Sequence, residues 1–252
     1  MTDKINLQRA HRYVQSIFLS ALIAHENDGY ICDAVDRYYP LVKYREVVRV
    51  NHTATLLIDT TTERIMAHNG TDGTLHDWAN NFKANTNELF HDGISDEYFK
   101  DISPTVCEFA KGCKVPIRQY GHSQGDSDAV LSVYDIRGMG SYDVEAIGSC
   151  GPEVMTQNGK KVMSALGCRV TKMRMKYDLA SKVGGIQIVK KFPFLNFCTD
   201  YGKIVDLPPT KFDPVIAHAW SHVMDSQKLL FEKWKMPEQI EYINAVRHVC
   251  KI

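Results

Sequence analysis

Ser123, in the run Tyr120-Gly121-His122-Ser123-Gln124-Gly125, is the residue of this chain whose neighbours best suit it to act as a nucleophile. A serine hydroxyl attacks poorly near neutral pH. It needs a base that takes its proton and donors that receive the charge developing on the attacked oxygen. An imidazole held in one tautomer by a carboxylate meets the first need. Two histidines in Ala217-His218-Ala219-Trp220-Ser221-His222-Val223-Met224-Asp225 stand four residues apart and would share one helical face. For the carboxylate, Asp178 directly follows a segment with strand character, whereas the flanks of Asp200, Asp206 and Asp213 are less strand-like. Asn69-Gly70-Thr71-Asp72-Gly73-Thr74 is a glycine-rich corner carrying hydroxyl and amide donors, able to turn the chain or to bind an anion. A metal reading of His218 and His222 lacks both the H-E-x-x-H arrangement and a further ligand cluster.

These groups act together only if the chain places them. Val115–Tyr120 reads as a short strand, and the stretch after Ser123 opens with acidic residues and continues apolar, as the start of a buried helix does. A serine lifted on so tight a strand-to-helix turn leaves no room for side chains two positions either side, which accounts for Gly121 and Gly125. The new helix aims its free N–H groups at the reacting oxygen. Elsewhere, residues 5–26 have helical periodicity, and the tyrosine-rich stretch holding Tyr30, Tyr38, Tyr39 and Tyr44 reads as a polar loop. Val47–Val50 and Thr53–Thr60 are strands, and Arg64–His68 returns after a polar turn to form a hairpin. Helix is expected over 96–113, strand over 142–148, helix over 160–166, strand over 170–175, and helix from about 215 to 233. Strand–helix–strand steps of this kind favour parallel pairing.

Composition bounds the rest. The 252 residues, 44% hydrophobic and 24% charged, suit one domain spanning 1–252, and no repeat or linker divides them. Thirty basic and thirty acidic residues cancel, so no global field favours nucleic acid or an anionic membrane. Seven scattered cysteines without C-x-x-C spacing read as reduced thiols. Gly184-Gly185 sits in no phosphate-binding motif, and no cofactor is implied. The apolar run Ile17–Ala24 is too short for a transmembrane segment and lacks the layout of a secretory signal. The cytoplasm is the expected location, with export by a non-classical route left open.

In order, these landmarks resemble the fungal-type (class 3) triacylglycerol lipase family of the α/β-hydrolase fold. The strand pair ending in Asn69-Gly70-Thr71 is similar to the family's oxyanion corner, and Asp77-Trp78 with Asn81 to the segment that follows it. Gly121-His122-Ser123-Gln124-Gly125 matches the G-H-S-x-G elbow. Ile147–Pro152 resembles the glycine-serine-proline strand end, and Tyr177–Ser181 the acid-bearing turn. Three departures mark a divergent member. Asn69 stands where arginine is usual, Asp126 where a second glycine is common, and Cys150-Gly151 lengthens the strand end.

The resemblance implies a mostly parallel central sheet with helices on both faces and a triad in the order Ser…Asp…His. It points to Ser123, Asp178 and His222, with His218 the alternative base, and to an oxyanion hole from Thr71 and Gln124. Residues 82–99 fall where lipid-acting members carry a lid; a plain surface helix is the other reading. The implied activity is carboxylic-ester hydrolysis on a lipid or other ester substrate, with transient contact to a membrane surface. Acyl transfer or thioester hydrolysis by the same triad, or a silent lipid- or partner-binding protein, are the alternatives.

Overall fold

The structure, a computed structural model, describes residues 7–39, 41–50, 53–70, 102–175, 178, 201–209 and 219–250, together with the backbone of 90–91 and 94–95. Its frame is a seven-stranded sheet in the order β1-β2-β3-β6-β7-β8-β9. The first three strands, β1 (Val42–Val50), β2 (Thr53–Thr60) and β3 (Arg64–His68), run antiparallel as a meander. A separate small ladder pairs β4 (Phe90–His91) with β5 (Ile94–Ser95). From β3 onward the main sheet is parallel: β6 (Ile117–His122), β7 (Val144–Ser149), β8 (Arg169–Met175) and β9 (Lys203–Leu207). The sheet is therefore mostly parallel, as expected of an α/β-hydrolase.

The helices are α1 (Leu7–Ile23), α2 (Asp28–Tyr38), α3 (Ser103–Ala110), α4 (Gln124–Met139), α5 (Gln157–Ala165), α6 (Trp220–Lys233) and α7 (Pro237–Cys250). They cover both faces because the strands are apolar on both. In β2, Leu56 and Ile58 point into the core shared with α1, α6 and α7, while Leu57 points into the core that holds α4. β6 and β7 are buried at every position. The α1 face is tied down by polar contacts as well. Ser16 Oγ donates to the Ile147 carbonyl at 2.6 Å, and Gln227 Nε2 donates to the Tyr13 carbonyl at 3.0 Å.

Several expectations need correcting. The stretch expected as a loop contains α2 and the first half of β1. Asn27 caps α2 by accepting the Tyr30 N–H, and Ile31, Ala34 and Val35 bury one face. That i, i+3, i+4 spacing carried the helix signal beneath the tyrosines. β9 and α7 were missed altogether. In α7, Ile243, Val246, Val249 and Cys250 repeat at helical spacing behind Pro237 at the start, so the signal was present. Within 82–99 the described backbone is the β4–β5 ladder, extended where a helix was one reading; the remainder of the expected lid lies outside the described residues.

Candidate active site

Parallel strands bring their C-terminal ends to one edge, and that edge collects the candidate groups. Gly121 pairs in register with His68 on one side and Gly148 on the other, so β3, β6 and β7 end together. Immediately beyond them lie Asn69-Gly70, Ser123 and Ser149-Cys150, and Asp178 follows β8.

Ser123 sits between β6 and α4 at φ 56°, ψ −129°, a left-handed conformation that costs a non-glycine residue about 1–3 kcal/mol. Surrounding packing imposes it. A Cβ on Gly121 would lie 1.9 Å from the Gly125 carbonyl oxygen, and one on Gly125 would lie 2.4 Å from that of His68. Neither position has room for a side chain. The Ser123 N–H donates to the Ser149 carbonyl at 2.9 Å, which fixes the turn to β7. The residue is buried, 5% exposed. Gln124 is the first residue of α4, at the positive end of the helix.

The corner after β3 packs on this turn. A Cβ on Gly70 would meet the His122 carbonyl oxygen at 2.9 Å and the Ser123 Cβ at 3.3 Å. Thr71, one residue further, lies outside the described residues. Asn69, standing where arginine is usual, braces the corner without charge. Its Oδ1 accepts the Ala54 N–H at 2.6 Å, and its own N–H donates to the Ala54 carbonyl at 3.0 Å. Behind it His68 is fully buried, with Nδ1 2.9 Å from Thr55 Oγ1 and Nε2 2.9 Å from Gln119 Oε1. Burial pushes its pKa down to about 4, so the ring is neutral. On the other side of the turn His122 Nδ1 is 2.9 Å from Ser149 Oγ.

The remaining candidates are placed unevenly. Asp178 is buried, and its N–H donates to the Met175 carbonyl at 3.3 Å. The Cys150 thiol is buried too; burial first, and then the Asp178 charge, hold its pKa well above the usual value. His222 lies in the first turn of α6, and its buried Nδ1 has no hydrogen-bond partner among the described residues. His218 lies outside them, as do Asp77, Trp78, Asn81, Asp200 and Asp213. Asp206 does sit on a strand, β9, but it is exposed and pairs with Arg174 at 3.0 Å, so it faces away from the turn's chemistry. No helix among the described residues is long and apolar enough to cross a membrane. The six described cysteines are free thiols.

Sequence reasoning saw Asp126 only as a departure and missed what it does. The residue is completely buried under the turn, its carboxylate accepting the Gly151 N–H at 3.0 Å, with Lys172 Nζ at 3.8 Å. Lys172 gave no signal of its own within an otherwise ordinary strand. Asp128, two residues on, is also fully buried, and desolvation pushes its pKa well above the usual carboxylate value.

A sheet of this order with a strained serine between strand and helix defines an α/β-hydrolase fold. Solved structures agree. A triacylglyceride lipase of Rhizomucor miehei matches with a TM-score of 0.61 over 84% of this chain and 83% of its own, at 11% identity. A fungal lipase noted for an unusual buried polar cluster in its family matches at 0.60 over 82% and 83%, at 15% identity. A triacylglycerol lipase whose catalytic centre is a serine-protease triad matches at 0.55 over 71% and 76%, at 13% identity. No protein-family model and no curated protein matches the sequence. The fold of the chain is therefore that of the fungal lipases.

Proposed function

We propose that the protein is a serine carboxylic-ester hydrolase, a divergent relative of the fungal lipases acting on a lipid or other apolar ester. The observation that carries this reading is Ser123 itself. A left-handed serine, wedged by two glycines between a buried strand and the N-terminus of a buried helix, is a strained arrangement that a plain turn does not need.

In the proposed reaction Ser123 attacks the ester carbonyl while His222 takes its proton, with His218 the alternative base. Asp178 orients the ring and stabilises the imidazolium. The N–H groups of Gln124 and Thr71 receive the oxyanion, and the Thr71 hydroxyl adds a third donor; loss of one such donor typically costs about 3 kcal/mol of transition-state stabilisation. The histidine then returns its proton to the leaving alcohol, and water, deprotonated by the same histidine, releases the acid from Ser123. The near-complete burial of Ser123 supports a cover that opens, for which residues 82–99 are the proposed lid, and opening at a lipid surface fits the apolar substrate. The proposed location is the cytoplasm.

The test is intact-mass detection of fluorophosphonate labelling on wild type and Ser123→Ala, with and without mild detergent. One adduct on wild type, absent from the variant, is expected, and detergent should speed it. Absence of any adduct under both conditions would remove the hydrolase reading in favour of a binding protein. Asp178→Asn and His222→Ala should each slow labelling about 10⁴-fold, and His218→Ala should not.

A further inference from the structure

The edge of the sheet opposite Ser123 carries an arginine-lined pocket that the proposed reaction does not use, and we propose that it binds a phosphate monoester. β7 ends beside the elbow at Ser149 but begins at Val144, and near that start lies a pocket of about 430 Å³. That volume falls in the range of small-ligand pockets, about 300–1,000 Å³. α1 contributes Gln8, Arg9 and Arg12 to the lining, β7 contributes Glu145, and β8 contributes Arg169 and Thr171. α1 packs on β6 and β7, which leaves Arg169 at the start of β8 exposed. The turn before β9 forms a further wall. Gly202 takes φ 89° there, and a Cβ on it would lie 2.3 Å from the Val170 carbonyl oxygen. Tyr201 Oη donates to the Cys168 carbonyl at 2.8 Å, so this wall is held before any ligand arrives.

The charges favour an anion. Buried Glu145 accepts from Arg12 Nη1 at 3.1 Å and lies 3.6 Å from Arg9 Nη2 and 3.9 Å from Arg118 Nη1. Arg118, itself buried, is shared with Glu63 at 3.8 Å and Asp143 at 4.0 Å, and Asp143 pairs with Arg169. Four guanidinium groups thus meet three carboxylates, and the lining itself holds three of the former against Glu145 alone. A guanidinium offers five N–H groups in a planar fork. Among the described residues Arg12 hydrogen-bonds through Nη1 alone and Arg169 through Nη2 alone, so each keeps further donors unspent. The acids meanwhile hold these long side chains in place, which lowers the entropy lost on binding. Donors arriving from both α1 and β8 suit an anion with oxygens on more than one face. A phosphate monoester has three around a tetrahedral centre, whereas a carboxylate has two in one plane. Soluble phosphate esters and the headgroup of phosphatidic acid present this same group.

The experiment titrates the full-length protein with inorganic phosphate at constant ionic strength, by calorimetry and by thermal melting. A parallel arm measures cosedimentation with phosphatidylcholine vesicles, with and without phosphatidic acid. Phosphate should bind wild type with a millimolar or tighter Kd and raise its melting temperature. Arg9→Gln and Arg169→Gln should each weaken binding about 10-fold, and the two together should abolish it. Arg12→Lys keeps the charge facing Glu145 but loses the fork, and should weaken binding about 5-fold. Ser123→Ala should bind as wild type does, because the elbow lies at the other edge of the sheet. Soluble phosphate binding assigns the site to a soluble ester, and retention only by phosphatidic-acid vesicles assigns it to a headgroup; either response, lost in the double variant, supports the site. No response in either arm would overturn the inference. So would an unchanged Kd in arginine variants that melt cooperatively, which marks an adventitious ion only, or loss of phosphate binding in Ser123→Ala. Should the double variant fail to fold, Arg12→Lys decides by the same readouts. These readouts are separate from fluorophosphonate labelling, so failure of this inference and failure of the hydrolase reading are distinguishable.

Discussion

The two flanks of Ser123 are braced in opposite ways. On the β3 side the brace is neutral: Asn69 pairs with the backbone of Ala54, and His68 sits uncharged among Thr55, Gln119 and Ser132. On the β7 side it is ionic: Asp126 and Lys172 grip the turn at Gly151. A neutral buried network must only have its donors and acceptors matched, whereas a buried ion pair must be kept whole. The elbow between them tolerates neither slack nor charge imbalance. The two flanks should therefore fail differently under mutation and under acid.

The largest effect should come from removing what both flanks hold. A methyl group at Gly121 would meet the backbone of Gly125 at 1.9 Å, and no side-chain rotation relieves a clash with main chain. Gly121→Ala should abolish the folded elbow, seen as loss of soluble protein or of a cooperative melt. A soluble variant that still labels at Ser123 would show the turn to be looser than its packing implies.

Next comes the ionic flank. Lys172→Met leaves the Asp126 carboxylate buried beside apolar neighbours, and breaking such a pair typically costs about 3–5 kcal/mol. Asp126→Asn/Lys172→Met should recover most of that loss in urea denaturation, because no lone charge remains. Equal stability of the single and double variants would mean that the pair is not coupled.

How much of this was legible in the sequence depends on how far apart the interacting residues lie. The elbow could be read because Gly121, Ser123 and Gly125 collide or fit within five residues. The hairpin and the strand–helix–strand steps could be read for the same reason: each is a local pattern that the sheet then repeats. Asp126 was visible only as an oddity, since its meaning lies in Gly148, Gly151 and Lys172 on other strands, and nothing local announces that a lysine in a strand will turn inward. Asn69 looked like a lost brace because its partner, Ala54, becomes adjacent only when β2 and β3 pair. α2 was hidden by tyrosines that suggested a polar loop although Ile31, Ala34 and Val35 held the helical spacing.

The neutral flank should show itself in acid. His68 titrates near 6.5 in the unfolded chain and near 4 when folded, so between those values the unfolded state binds more protons. Stability from this residue is complete above pH 6.5, falls as pH drops towards 4 and levels off below it, by roughly 3 kcal/mol in all. His68→Gln should flatten that window in pH-dependent urea melts while leaving the values above pH 7 within about 1–2 kcal/mol of wild type. An unchanged slope would mean that the ring is protonated in the fold.

The smallest effect belongs to Asn69, where the comparison can be made within one side chain. Asn69→Ala strands the Ala54 N–H and should cost about 1–3 kcal/mol. Asn69→Asp keeps an acceptor at the same place and should retain much of that stability. It also puts a negative charge one residue from Gly70, where an added Cβ would meet Ser123 Cβ at 3.3 Å, on the side where the proposed oxyanion forms. The aspartate variant should therefore melt closer to wild type than the alanine variant yet label more slowly, most clearly at low salt where the added charge is least screened. If the two variants ranked the same way in melting and in labelling, Asn69 would act on Ser123 only through the stability of the corner, and the neutrality of this flank would carry no catalytic meaning.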